Sequence, residues 1–124
     1  MSNIPAKDNL LGIVGPCSSG KSTLIGNLKQ KGYICRHIAQ EHSYVPDMWL
    51  KISNPRVLIY LDVDYETSLQ RKYLNLTPQE FEEQKKRLLH ARQNAQIYLH
   101  TNPYSPKEVY QYVLDSLEDL GIAP

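Results

Sequence analysis

A nine-residue stretch, GPCSSGKST, dictates the local backbone more strongly than any other part of this sequence. It follows the apolar run LLGIV and matches the pattern G-x-x-x-x-G-K-[ST] in full, with Gly15, Gly20, Lys21 and Ser22 at the defined positions. Glycines let the backbone curl so that its N–H groups face inward around an anion. The pattern therefore predicts a strand, a phosphate-binding loop and a helix, with Lys21 neutralising phosphate and the Ser22 hydroxyl ligating Mg²⁺.

The length and composition set limits on what this stretch can belong to. A chain of 124 residues accommodates one domain, and 41% hydrophobic with 22% charged residues is typical of soluble globular proteins. A net charge of +1 gives no reason to expect nucleic acid or a membrane as a partner. Two cysteines, Cys17 and Cys35, are too few for a disulfide framework or a zinc site. We therefore expect a cytoplasmic protein without a signal peptide or a membrane span.

Strands alternate with helices along the chain. Apolar runs predict strands at residues 10–14, 33–39, 56–63 and 96–100. Helical signals, including capping boxes that begin at Thr77 and Ser105, predict helices at residues 21–31, 66–74, 77–94 and 106–120, with a further turn at 47–51. Residues 1–9 are expected to be a flexible tail and residues 10–124 the single domain. This order predicts an α/β fold, a three-layer sandwich around a small parallel sheet of about four strands.

Three stretches make the chain resemble the P-loop kinases of small molecules, of the adenylate, thymidylate, shikimate and gluconate kinase type. They are GPCSSGKST, VLIYLDVDYETSLQRK and ARQNAQIYLHTNPYSPKEVYQYVLDSL. The D-x-x-G and N-K-x-D patterns typical of GTPases are absent from the sequence. The resemblance implies the P-loop NTPase fold, with ATP and Mg²⁺ as cofactors.

The resemblance also implies roles for individual residues. Arg71 matches the arginine that leads into the lid of such kinases, and Arg87 and Arg92 fall where lid arginines clamp the transferred phosphoryl group. Each arginine is about as well explained as part of a solvated helix face, and Asp62 is expected to be structural. The nucleotide-binding residues implied are Gly15, Pro16, Cys17, Ser18, Ser19, Gly20, Lys21, Ser22, Thr23, Arg71, Thr101, Asn102 and Pro103.

One part of the kinase pattern is missing. Such kinases have a third strand that ends in an Mg²⁺-organising acid, but residues 40–55 are too few for a helix, a strand and their connections. We therefore expect the second strand to lie beside the first, with Glu41 close to Lys21 and Ser22. Glu41 could then hold Mg²⁺ or act as the base on an acceptor hydroxyl, the alternative being a solvated loop residue. His42 could share that role, and Arg36 could bind an acceptor anion.

The segment after Glu41 allows two interpretations. Tyr44, Met48 and Trp49 could stack on an aromatic acceptor, or they could belong to the hydrophobic core, which is the favoured interpretation.

The leading hypothesis for function is an ATP–Mg²⁺-dependent phosphotransferase acting on a nucleoside, a nucleotide or a small hydroxy metabolite. Its catalytic residues would be Lys21, Glu41, Arg71 and Arg92, and its metal ligands Ser22 and Glu41. The missing third strand favours an alternative, a nucleotide-binding module that no longer catalyses, and a weak NTPase without an organic acceptor is a third possibility. The expected partners are a nucleoside triphosphate and a small-molecule acceptor, with a homodimer possible through an exposed sheet edge.

Overall fold

A computed structural model describes residues 7–71 and 75–124 of the chain. Its strands are β1 (Lys7–Val14), β2 (Ile34–His37), β3 (Pro55–Asp62) and β4 (Ile97–His100). Its α-helices are α1 (Lys21–Lys31), α2 (Met48–Ile52), α3 (Tyr65–Arg71), α4 (Pro78–Arg87), α5 (Leu89–Asn94) and α6 (Pro106–Asp119), with a 3₁₀ turn at Gln40–His42. None of the helices in the described part of the chain is long and apolar enough to cross a membrane.

The four strands form one parallel sheet in the order β2-β1-β3-β4. The strand β1 pairs with β2 through Leu10 and Ile34, and with β3 through Gly12 and Leu58. The predicted α/β class and four-stranded parallel sheet are therefore confirmed. The expected position of the second strand directly beside the first is also confirmed. Because all four strands are parallel, their carboxyl ends lie at one edge of the sheet, which is where ligands bind in such sheets.

Two apolar clusters cover the two faces of the sheet. On one face, α1 and α6 pack on the strands through residues such as Leu24, Leu28 and Val113. On the other face, Trp49 and Leu88 pack beside Tyr60 of β3. Because both faces are covered, β3 is apolar without interruption, and every residue from 57 to 61 is buried.

Local capping signals are found where the sequence predicts them. Thr77 and Ser105 each form a complete capping box with the glutamate three residues later, and a proline occupies the first turn in both helices. Gly32 ends α1 with a φ of 108°, a left-handed conformation that glycine adopts without steric cost.

Several element boundaries differ from the predictions. β1 begins at Lys7, within the residues expected to form a tail, and β2 ends at His37 rather than at residue 39. The helix predicted for residues 77–94 is divided at Leu88 into α4 and α5. The end of the helix predicted for residues 66–74 lies partly outside the described residues, and α3 ends at Arg71.

Candidate functional site

The loop of residues 15–20, which we name the glycine loop, connects β1 to α1 at the carboxyl edge of the sheet. Gly15 lies so close to β3 that a Cβ atom there would be 2.1 Å from the carbonyl oxygen of Leu61 and 2.8 Å from Ser19 Oγ. Glycine is therefore required by the close approach of two backbones. Gly20 precedes α1 with a φ of 102°, so the loop turns directly into the helix N-terminus.

Side chains from two other segments hold the glycine loop in place. The Thr101 hydroxyl lies 3.0 Å from the carbonyl oxygens of both Ser19 and Asp62, and it accepts a 2.7 Å hydrogen bond from Arg71 Nη1. On the opposite side, Gln84 accepts a hydrogen bond from the Cys17 backbone N–H at 3.1 Å and donates to Cys17 Sγ at 3.2 Å. The loop is thus fixed to β3, to the segment after β4 and to α4.

Lys21 and Glu41 form a buried ion pair beside the glycine loop. Lys21 Nζ lies 3.0 Å from Glu41 Oε2, and the two side chains are 7% and 4% exposed. The same ammonium donates to the carbonyl oxygens of Gly15 and Pro16. The expected closeness of Glu41 to Lys21 is therefore present, because β2 lies beside β1 and the 3₁₀ turn after β2 ends beside the loop after β1.

Three buried polar atoms at this point have no hydrogen-bond partner within the described residues. They are Glu41 Oε1, Ser18 Oγ and Ser19 Oγ. Buried polar atoms are nearly always paired with protein, water or a ligand, so such atoms mark a place where another molecule supplies the partner. A carboxylate oxygen accepts only, so the missing partner of Glu41 Oε1 is a hydrogen-bond donor or a cation.

A cavity of about 580 Å³ opens over the glycine loop, within the size range of small-molecule sites. Its polar side is formed by the glycine loop and the first turn of α1, and its more apolar side by Tyr104, Pro106 and Val109. The lining residues are Cys17, Ser18, Ser19, Gly20, Lys21, Ser22, Thr23, Leu24, His37, Glu41, His42, Arg71, Thr101, Tyr104, Pro106 and Val109.

A second cavity of about 380 Å³ adjoins the first, since Cys17 and His42 line both. Its remaining walls come mostly from α4 and the segment before it: Asn75, Leu76, Glu80, Glu83, Gln84 and Arg87. Two adjoining cavities that share one cysteine and one histidine provide room for two separate ligands.

The structure brings most of the predicted nucleotide-binding residues together, but it does not bring in all of them. Arg92 lies on α5 with its guanidinium 5.1 Å from the ring centre of Tyr98, and it lines neither cavity. Arg92 lies away from the glycine loop because α5 packs along β3, so its catalytic role stays a prediction that this position does not favour. Pro103 is exposed and lines neither cavity, while Asn102 is hydrogen-bonded to Asp64.

Asp62 is a structural residue in this arrangement, in agreement with the prediction. Its buried carboxylate accepts hydrogen bonds from Tyr98 at 2.6 Å, from Lys85 at 3.1 Å and from the Val63 backbone at 2.9 Å. Burial alone raises the pKa of the Asp62 carboxyl, but the hydrogen bonds from Tyr98 and Lys85 outweigh it and hold the pKa below its usual value. Burial and the bond to Asp62 raise the pKa of Tyr98 to about 12.

The aromatic segment after Glu41 is divided between core and surface. Trp49 is buried and its Nε1 donates to His90 Nδ1 at 3.0 Å, so the favoured core interpretation is confirmed for this residue. Tyr44 is 85% exposed and its ring lies against the Arg87 guanidinium, so it does not belong to the core, and stacking on an acceptor stays a prediction for this residue. Arg36 is exposed on β2 and does not line either cavity.

Two buried glutamines support the site and carry no sequence signal that could have revealed them. Gln84 holds Cys17 as described above. Gln40 accepts from the Trp49 backbone at 2.8 Å and donates to the carbonyl oxygens of Val45 and Arg87. Gln40 thereby fixes the turn that carries Glu41.

Comparison with known proteins assigns the chain to no family. No protein-family model matches it, and no curated protein matches it.

Proposed function

We propose that the chain has the P-loop NTPase fold and is a phosphotransferase that binds ATP with Mg²⁺ and transfers the γ-phosphoryl group to a small hydroxyl-bearing acceptor. The buried carboxylate of Glu41 carries most weight: it lies 3.0 Å from Lys21, and its second oxygen lacks a partner within the described residues, beside a loop built for phosphate. A buried acid beside such a loop is a candidate for chemistry rather than a surface charge.

The larger cavity suits a nucleoside triphosphate. Backbone N–H groups of the glycine loop and the N-terminus of α1 would hold the phosphates. Lys21, which now binds the carbonyl oxygens of Gly15 and Pro16, would donate to phosphate oxygens instead. Tyr104 and Pro106 would contact the base, and Arg71, held by Thr101, would pack on the base or reach a phosphate.

The residues present also fit Mg²⁺, which prefers oxygen ligands. Ser22 is exposed in the first turn of α1 and Glu41 Oε1 has a free acceptor site among the described residues. These two oxygens would hold the ion, directly or through water. Mg²⁺ would neutralise charge that develops on the transferred phosphoryl group.

The smaller cavity suits the acceptor because it meets the larger one beside Cys17 and His42. An acceptor hydroxyl that extends past His42 into the larger cavity, which Glu41 lines, would give its proton to Glu41 as its oxygen bonds to the γ-phosphorus. The bond from that phosphorus to the bridging β–γ oxygen breaks at the same time, and ADP is the leaving group. General bases of this kind contribute about 10²- to 10⁴-fold to rate.

The test compares nucleotide binding with phosphoryl transfer. Thermal-shift measurements with ATP, GTP and their diphosphates, with and without Mg²⁺, establish binding, and γ-labelled ATP with nucleoside, sugar and hydroxy-acid acceptors establishes transfer. We expect Glu41→Gln to bind ATP normally and to lose transfer by about 10²- to 10⁴-fold. Glu82→Gln, on the exposed side of α4, is the matched control and should transfer at the parental rate. Parental transfer by Glu41→Gln, or unchanged ATP affinity in Lys21→Ala, would show that the assignment is wrong.

A nucleotide-binding module without catalysis is the second candidate. It is favoured by the absence, among the described strands, of a further strand between β2 and β1 that could end in an Mg²⁺-organising acid. Tight binding of ATP combined with no transfer to any acceptor would support it over the kinase.

A further inference from the structure

Cys17, Glu41 and His42 lie together where the glycine loop meets the 3₁₀ turn. One potential ligand atom from each residue, the thiol sulfur, a carboxylate oxygen and a ring nitrogen, lies within 4.8 Å of the other two. His42 Nε2 is 3.9 Å from Glu41 Oε2. In tetrahedral zinc sites, metal–ligand distances of about 2.0–2.3 Å place neighbouring ligand atoms roughly 3.3–3.7 Å apart. The three side chains therefore need to approach one another by only about an ångström to share one ion.

Two of these side chains are held in place and the third is free to adjust. The Glu41 side chain is 4% exposed, and its Oε1 is unpaired among the described residues. Cys17 is fixed by the side-chain amide of Gln84, whose Oε1 accepts from the Cys17 backbone N–H and whose Nε2 donates to the sulfur. The His42 side chain is 62% exposed, so it can rotate towards the other two without displacing core residues.

The ligand chemistry selects among metals. A sulfur, an imidazole nitrogen and a carboxylate oxygen form a mixed set that suits Zn²⁺, whereas Mg²⁺ and Ca²⁺ require oxygen ligands. Three protein ligands leave the fourth tetrahedral position open to water or to a ligand in either cavity.

We propose that Cys17, Glu41 and His42 form a Zn²⁺ site and that Zn²⁺ bound there excludes nucleotide from the larger cavity. Cys17 belongs to the glycine loop, and Glu41 is the partner of Lys21, so an ion on these ligands occupies the entrance to the phosphate position. The exclusion of nucleotide rests on the proposed function, whereas the metal site itself does not.

Lys21 opposes the metal in the absence of nucleotide. Its ammonium is 3.0 Å from Glu41 Oε2, and a positive charge at that distance both occupies a ligand atom and repels a cation. Removing the charge with Lys21→Met should therefore tighten Zn²⁺ binding while it weakens ATP binding. A substitution that merely disturbed the loop would weaken both.

Cobalt titration under reducing conditions tests the site, because a Co²⁺–thiolate bond produces a charge-transfer absorption. Displacement of the bound Co²⁺ by Zn²⁺ then gives the affinity for zinc. The parental chain should bind one ion with that absorption. Cys17→Ser should lose the absorption, and both Cys17→Ser and His42→Asn should weaken zinc binding by more than about tenfold, a loss that even an outer-shell partner can cause.

The other cysteine and an exposed histidine provide matched controls. Cys35 is buried in the core, where burial raises the pKa of its thiol to about 11, and His100 is exposed on β4. Cys35→Ala and His100→Asn should bind Co²⁺ and Zn²⁺ as the parent does, and circular dichroism verifies that each variant is folded. Parental zinc affinity in Cys17→Ser or in His42→Asn would overturn the metal site.

The exclusion of nucleotide is measured separately, with ATP added at a free Zn²⁺ concentration set by a metal buffer. Nucleotide affinity should fall as the zinc site fills, and Cys17→Ser should remove that effect. Unchanged ATP affinity at saturating Zn²⁺ would overturn the exclusion. If the parent binds Zn²⁺ through the three ligands but binds no nucleotide in zinc-free buffer, then the proposed function fails and the metal site remains.

Discussion

Removing one partner of the Lys21–Glu41 ion pair should destabilise the chain more than removing both. The two side chains are 7% and 4% exposed and their charged atoms are 3.0 Å apart. Breaking such a buried pair from one side typically costs about 3–5 kcal/mol, because the remaining charge is left largely desolvated and without a counter-ion. Replacing both partners by uncharged residues of similar size is often nearly neutral.

The surroundings make the two single variants unequal. In Lys21→Met the Glu41 carboxylate loses the partner of Oε2, and Oε1 already has none among the described residues, so we expect the full loss of about 3–5 kcal/mol. In Glu41→Gln the ammonium keeps the carbonyl oxygens of Gly15 and Pro16, so the expected cost is lower, about 1.5–3 kcal/mol. The double variant should lie within about 1–2 kcal/mol of the parent.

Equilibrium urea unfolding at pH 7, without nucleotide or metal, measures the free energy of unfolding of the parent, the two single variants and the double variant. The fluorescence of buried Trp49 is the signal. The exposed Lys51–Asp47 pair, at 3.5 Å, is the matched control and should couple by less than about 0.5 kcal/mol. If the effects of the two single substitutions at the buried pair add to within about 0.5 kcal/mol in the double variant, then the two charges are not coupled and the reasoning is refuted.

Two further predictions concern the loop and the Asp62 network. In thermal unfolding, Gly15→Ala should destabilise the chain by at least about 1–3 kcal/mol, because the added Cβ would clash with the Leu61 carbonyl. Gly26→Ala should stabilise the chain by about 0.5–1 kcal/mol, because Gly26 lies inside α1 and a Cβ there meets open space. Equal effects of the two substitutions would contradict the close approach. Tyr98→Phe should cost about 1.5 kcal/mol at pH 7. The bond from Tyr98 helps to lower the folded-state pKa of Asp62, so its stabilisation is present above the unfolded-state pKa and is lost as the pH falls below about 4. The free energies of urea unfolding of the parent and of Tyr98→Phe should therefore converge at low pH. A difference that does not change with pH would mean that the Asp62 charge is not involved.

The features predicted well are those written in neighbouring residues. The capping boxes at Thr77 and Ser105 and the helix end at Gly32 depend on contacts within a few residues, and all are present. The closeness of Glu41 and Lys21 was also predictable, because the length of the segment between the strands limited the order of the sheet. The position of Arg92 was not predictable in the same way, because whether a helix arginine reaches a cavity depends on how that helix packs, and Arg92 lies against Tyr98.

The sequence by itself determined the alternation of strands and helices, the glycine loop and the presence of a lysine and a hydroxyl in the first turn of α1, since each follows from steric and hydrogen-bonding preferences over a few residues. Only the tertiary structure decided that Gln84 holds Cys17 across 67 positions, and that Cys17, Glu41 and His42 come within 4.8 Å of one another. Two isolated cysteines gave no reason to predict a zinc site from the composition. The Cys17 thiol has a histidine and a carboxylate as neighbours only because β2 packs beside β1. Such contacts between distant segments are products of packing, so no local pattern records them.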